Sequence, residues 1–338
     1  MNSASIPSAA PAPPNLLKAF RAGFDAVTNH IELIFIPVGL DLFLWLGPHL
    51  HLSAFIDRVF GQALALPEAA GASMQEMVKA SRDMWSLMAE RFDLFSLLRS
   101  YPIGLPSLMA GIGPLENPLG RPLIIEVPSL GLSLVMWLLF TIIGLAFGAL
   151  YFEAVAQAAL MKKISWRQVV MEWPAYAWQV MLLAIFWFLL VLMLSLPFSC
   201  LITFILFSGV GIGRFALLFL AAIAAWIFLP LTFSPHGLFY QRLKVLASVR
   251  YSFNLTRFTM PTTMLFLLAV LVLSEGLDML WRVPPEGSWL MLIGIMGHAF
   301  IATGLLSASF VYYRDAGQWV EKMLQQSRLN SVRNVRMT

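Results

Sequence analysis

Ionisable residues are scarce in this chain, and the few that fall inside apolar stretches are where any chemistry would have to sit. Asp41 lies about ten residues into the stretch 31–46, and His298 about nine residues into the stretch 289–313, each roughly 13–15 Å from the nearer end of a helix. A charged side chain at such depth costs about 2.5–3.5 kcal/mol on insertion scales, so it is retained for a partner or a task. The matching depths predict an intramembrane polar pair, Asp41 with His298, which serves either as a packing clamp or as a proton-linked transport site. Glu275 and Asp278 are three apart and share a helical face near the outer end of the stretch 262–281. With Arg214 at the same level, they predict an outer polar rim, salt-bridged or forming a vestibule for a cation or substrate. On the other side, HGLFYQRLKVLASVRYSFNLTRF (236–258) mixes apolar residues with Arg242, Lys244, Arg250 and Arg257. Such a segment snorkels at an interface, and these four residues are candidate contacts for an anionic lipid headgroup.

Enzyme signatures are missing. There is no HExxH, CxxC, Walker loop or strand-to-helix GxGxxG, and no two histidines stand at metal-ligand spacing on a helix. His49 and His51 are two apart and would face different ways on a helix. Ser208 and His298 do not make an intramembrane serine protease, because Leu206 stands where such an enzyme needs glycine. The expectation is a protein with no catalytic centre, no metal and no cofactor.

The elements that position these residues follow from composition. Of 338 residues, 59% are hydrophobic and 12% charged, and the mean hydropathy is +0.78. A soluble domain carries about 25% charge, so this chain cannot cover a water-facing surface. A disordered chain and a disulfide scaffold are excluded as well, the latter because Cys200 is the lone cysteine. A net charge of +4 without a basic patch argues against nucleic acid despite a pI near 9.3.

Six stretches approach the roughly 20 apolar residues that a crossing needs: 31–46, 130–152, 176–207, 215–240, 262–281 and 289–313. Positive residues stay on the cytoplasmic side of short loops. Lys162, Lys163 and Arg167 precede the third stretch and Arg242 follows the fourth, so an even number of crossings separates them, and 176–207 is one long helix bending at Pro197. The inner segments then hold Lys18, Arg21, Lys162, Lys163, Arg167, Arg242, Lys244, Arg250, Arg257, Arg314, Lys322, Arg328, Arg333 and Arg336, and both termini are cytoplasmic. The expected fold is an all-α integral membrane protein of six transmembrane helices, multi-pass in a bacterial plasma (inner) membrane, with an extracytoplasmic helical insert between spans 1 and 2.

By segments, 1–15 is a disordered tail and 16–46 an interfacial helix with span 1. Residues 47–129 form an outer segment of amphipathic helices (52–64, 74–95) and a Pro/Gly-rich loop. Residues 130–313 carry spans 2–6 with a basic cytoplasmic helix at 241–260, and 314–338 is a cytoplasmic tail. Gly144 and Gly148, four apart on one face, predict a close helix contact.

Two stretches, PVGLDLFLWLGPHL (37–50) and 236–258 with its Ser252-Phe253-Asn254-Leu255 core, resemble bacterial polytopic membrane proteins of unassigned function. They are loosely similar to the membrane domain of glycerophosphoryl diester phosphodiesterases. That resemblance implies a six-span bundle and no catalytic residues, since the phosphodiesterase site lies in a separate soluble domain. The expected partners are the bilayer, an anionic lipid or another membrane subunit, and the expected role is a non-enzymatic scaffold, complex subunit or lipid-interacting bundle. The alternative is a transporter or permease component with a polar path around Asp41, His298, Glu275 and Asp278.

Overall fold

A computed structural model describes residues 13–52, 76, 79–80, 83–84, 91–207 and 213–337. Its helices, in chain order, are α1 (Leu16–Asn29), α2 (Phe35–Leu46), α3 (Met109–Ile112), α4 (Leu130–Met161), α5 (Trp166–Phe207), α6 (Gly213–Phe228), α7 (Ser234–Tyr240), α8 (Val245–Trp281) and α9 (Met291–Met337). A short parallel ribbon, β1 (His49–His51) on β2 (Ile124–Glu126), and a 3-10 turn at Leu94–Arg99 join them. The chain is an all-α membrane protein: five helices are long and apolar enough to cross a membrane, and a sixth span exists if the bent pair Leu16–Asn29 and Ile31–Leu46 is one crossing.

That first pair turns through 89°. Asn15 caps α1, its side chain accepting from the Lys18 amide at 3.1 Å. Ala19, Gly23, Ala26 and Val27 recur at helical spacing and are buried, while Lys18, Arg21 and Asp25 stay exposed. The helix presses on α9 so tightly that a Cβ on Gly23 would collide with the Ala308 backbone. The helix is amphipathic, with its apolar face on the bundle and its charges outward.

Large apolar side chains point outward along α4, α5 and α8, including Leu134, Leu138, Leu189, Leu192, Leu268 and Leu271. In lipid this exposure carries no penalty, and backbone satisfaction becomes the governing constraint. The fourth crossing shows how it is met. Pro230 and Pro235 lack N–H groups and split the crossing into α6, a 3-10 turn at Leu229–Leu231, and α7. A hydroxyl stripe on α8 covers the break: Ser252 donates to the Pro230 carbonyl and Ser248 to the Ser234 carbonyl, each at 2.6 Å. Farther along, Thr259 and Thr263 lie 3.0 Å apart, and Thr263 meets the Tyr312 hydroxyl at 3.0 Å. The Ser252-to-Leu255 motif is thus a packing element: Ser252 and Leu255 are buried and Phe253 is exposed.

Several boundaries differ from expectation. The basic helix at 241–260 is not separate: it begins at Val245 and runs into span five as α8, with Thr259 alone leaving helical geometry beside Pro261. The tail at 314–338 continues α9 as helix to Met337. The long third stretch is one helix, as parity requires, and it starts earlier, at Trp166. Residues 1–12 and most of the two amphipathic stretches at 52–64 and 74–95 lie outside the described residues.

The later part of the outer segment goes inside. A Cβ on Gly144 would stand 2.5 Å from the Leu98 carbonyl oxygen, and one on Gly148 would stand 2.8 Å from Gly104 Cα. The paired glycines of α4 therefore admit a loop, not another helix. Gly148 is eighteen residues along α4, about 27 Å from its start at Leu130, so the loop re-enters deep into the bundle. Ile103, Leu105, Leu108 and Met109 are buried there in the main core.

Candidate functional site

Asp41 is completely buried, and its carboxylate is the anchor of the re-entrant loop. Ser107 Oγ donates to Oδ1 at 2.5 Å, the Met109 amide to Oδ1 at 3.0 Å, and the Leu108 amide to Oδ2 at 3.1 Å. Ser107 Oγ in turn accepts from the Ala110 amide at 3.0 Å. These are the amides that the first turn of α3 leaves without helical partners, and a buried carboxylate is the strongest acceptor available for them. At the other end of α3, Arg91 donates to the Ile112 and Gly113 carbonyls at 3.3 and 3.5 Å and pairs with Glu286 at 3.3 Å. An acid at the start of the turn and a cation at its end complement its backbone dipoles.

The predicted Asp41 to His298 hydrogen bond is not formed. His298 Nδ1 instead lies 2.7 Å from Asp278 Oδ1, one of the residues assigned to the outer rim. The reason is geometric: Trp281, at the end of α8, packs over Gly297 of α9, and that contact brings Asp278 to the His298 ring. Asp41 feels His298 electrostatically, yet all of its own bonds go to the re-entrant loop, and His298 Nε2 is buried without a hydrogen-bond partner among the described residues. The rim is likewise rearranged. Asp278 turns inward to His298 and Glu275 is exposed. The Arg214 side chain and the whole of Ser208 lie outside the described residues.

At the outer end of α2, the two histidines of β1 are held by a residue that the sequence did not mark. Asp93 accepts from the Leu50 and Phe95 amides at 2.9 and 3.0 Å, and its second oxygen lies 3.3 Å from His49 Nδ1. All three of His49, His51 and Asp93 are buried. Among the described residues no group of three or more His, Cys, Asp or Glu side chains is placed to hold a metal ion. The cluster staples the ribbon to the 3-10 turn.

The face expected to be cytoplasmic holds a cavity of about 370 Å³ between α5, α7 and the turn into α8. Glu172, Tyr176, Gln179, Leu238, Arg242 and Lys244 line it. Arg242 donates to both oxygens of Glu172 at 3.1 and 3.0 Å, and Gln168 donates to the same carboxylate at 3.2 Å. Arg242 adopts φ of 53°, a left-handed conformation that a non-glycine residue occupies only when its surroundings impose it. Glu153, buried on α4, acts electrostatically on two of the lining residues, Tyr176 and Arg242. Gln157 donates to its Oε1 at 2.8 Å, and its Oε2 has no partner among the described residues. Of the four expected headgroup contacts, Arg242 and Lys244 line this cavity, while Arg250 and Arg257 are exposed elsewhere on α8.

Glycine spacing and isolated acids marked these places in advance but not their partners. Ser107, Asp93 and Glu172 carry no motif, and each acts through a contact with a residue far away in sequence. No family model, no characterised protein and no solved structure matches this chain.

Proposed function

We propose that this protein is a non-enzymatic, lipid-contacting bundle of a bacterial inner membrane that serves as a scaffold or as a subunit of a membrane complex. The observation that supports this reading is the use made of Asp41. The most deeply buried acid of the first span is saturated by three donors from the chain itself and spends its acceptor capacity on folding. His298 and Asp278 are engaged with one another through a single contact at 2.7 Å. A proton-linked transporter needs an ionisable group that is free to exchange its partner for water or cargo, and Asp41 and Asp278 are already engaged.

The reading is tested with purified protein in sealed liposomes under an imposed pH or potassium gradient, followed with a pH-sensitive dye. Ion flux equal to that of protein-free vesicles is expected. Flux above that level, lost on Asp41→Asn or His298→Gln while the protein remains folded, would establish transport and overturn the proposal.

A further inference from the structure

We infer that the inner-face cavity binds the headgroup of an aminophospholipid, a primary ammonium joined to a phosphate. This deepens the lipid-contacting reading above and rests on it. The sequence suggested an anionic lipid, because four basic residues cluster at 242–257. The structure changes that charge balance at the cavity itself, where Glu172 already neutralises Arg242. What remains is mixed. Lys244 is exposed at the rim and pairs with no carboxylate among the described residues. Opposite in sign, Glu153 is close enough to act electrostatically on Tyr176 and Arg242.

A buried acceptor on the lining asks for a donor. Gln179 Oε1 is shielded from solvent and has no hydrogen-bond partner among the described residues, and Glu153 Oε2, equally unpaired, lies beyond the lining and adds negative charge to that side. A buried acceptor left unpaired costs about 1–3 kcal/mol, so a ligand that supplies N–H groups recovers that loss. A primary ammonium has three such groups, and it is attracted to the acidic side of the cavity. A phosphate attached to it reaches Lys244 and the outward face of Arg242. The volume of about 370 Å³ falls within the range of small-ligand sites, roughly 300–1,000 Å³. Lys244 stands at the start of α8, at the inner boundary of the bundle, which is where a lipid headgroup lies. Two hydrogen bonds to Glu172 hold the Arg242 guanidinium in place, so the site is organised before a ligand arrives.

The test measures thermal stability and intrinsic tryptophan fluorescence of the detergent-solubilised full chain. Four probes are titrated: short-chain phosphatidylethanolamine, phosphatidylcholine, phosphatidylglycerol and free phosphoethanolamine. Phosphatidylethanolamine is expected to bind about tenfold more tightly than the other two lipids, because phosphatidylcholine has no N–H to donate and phosphatidylglycerol has no cation. Lys244→Gln, an exposed position that leaves the fold intact, is expected to weaken that binding about tenfold, as is Gln179→Leu. Equal binding of free phosphoethanolamine assigns the site to a soluble headgroup compound and supports the same chemistry. Binding of phosphatidylglycerol or phosphatidylcholine as tight as phosphatidylethanolamine, insensitivity to Lys244→Gln, or no binding of any probe overturns the inference. Because the flux measurement reads Asp41 and not this cavity, a failure here leaves the scaffold reading standing, and flux there leaves this site to be judged by its own titration.

Discussion

Replacing Asp41 separates a structural acid from a transport acid. In Asp41→Ala, the Leu108 and Met109 amides and the Ser107 hydroxyl lose their acceptor in a site that no water reaches. Each stranded donor costs about 1–3 kcal/mol. Partial relaxation of a four-residue helix and its loop returns some of this, and the net loss is expected to be about 3–6 kcal/mol. Asp41→Asn is milder. Its amide keeps one acceptor for Ser107 and Met109 but turns a donor toward the Leu108 amide, for an expected loss of about 2–3 kcal/mol. Ser107→Ala removes two bonds of the cluster, the one to Asp41 and the one from the Ala110 amide, and is expected to cost about 1–3 kcal/mol. The assay is reversible unfolding in mixed micelles of detergent and SDS, with the double mutant closing a cycle. Asp41 and Ser107 are expected to couple by at least about 1 kcal/mol, whereas Asp41 and His298 couple by less than about 0.5 kcal/mol. An Asp41→Ala protein within about 1 kcal/mol of the wild type, or an Asp41–His298 coupling larger than that of Asp41 with Ser107, refutes the reasoning.

Further substitutions probe the packing. Gly148→Val places side-chain atoms against the backbone of Ile103 and Gly104, and it is expected to expel the re-entrant loop and raise protease sensitivity there. Ser252→Ala and Thr256→Val lie four residues apart on the buried face of α8. The first loses its bond to the Pro230 carbonyl and is expected to destabilise by about 1–2 kcal/mol. The second removes a hydroxyl that is buried without a partner among the described residues, and it is expected to be neutral or stabilising by up to about 1 kcal/mol in the same unfolding assay. Gly23→Leu collides with the Ala308 backbone, so it is expected to detach α1 from α9, seen as labelling of a cysteine placed at the otherwise buried Ala19.

The membrane class and most span positions were legible because lipid selects composition directly: the apolar runs at 130–152 and 262–281 lie inside observed helices, and 289–313 does so but for its first two residues. Helix ends were less legible. Hydropathy stops where lipid stops, but hydrogen bonding does not, and α9 therefore continues through the polar run after Arg314 and α8 through Arg250 and Arg257. Gly144 and Gly148 correctly announced a close approach, yet nothing local says whether a helix or a loop will approach. Depth along the chain suggested Asp41 and His298 as partners because both lie well inside the bundle. It could not reveal that a Pro/Gly-rich segment folds back inside and offers Asp41 three donors, since that geometry comes from tertiary packing with no periodic signature. The acidic residues of the inner cavity had the same difficulty: Glu172 lies seventy residues from the arginine that it neutralises.

The central claim is that Asp41 holds a re-entrant segment inside the bundle, and it is tested most directly by thiol accessibility in intact membranes. With Cys200 replaced by serine, Leu105→Cys, at a position only 6% exposed, is compared with Leu119→Cys at a position 72% exposed. A membrane-impermeant maleimide is expected to label position 119 rapidly and position 105 hardly at all, and adding Asp41→Ala is expected to make position 105 reactive. Labelling of position 105 from outside as fast as position 119 in the protein that retains Asp41 would contradict the account.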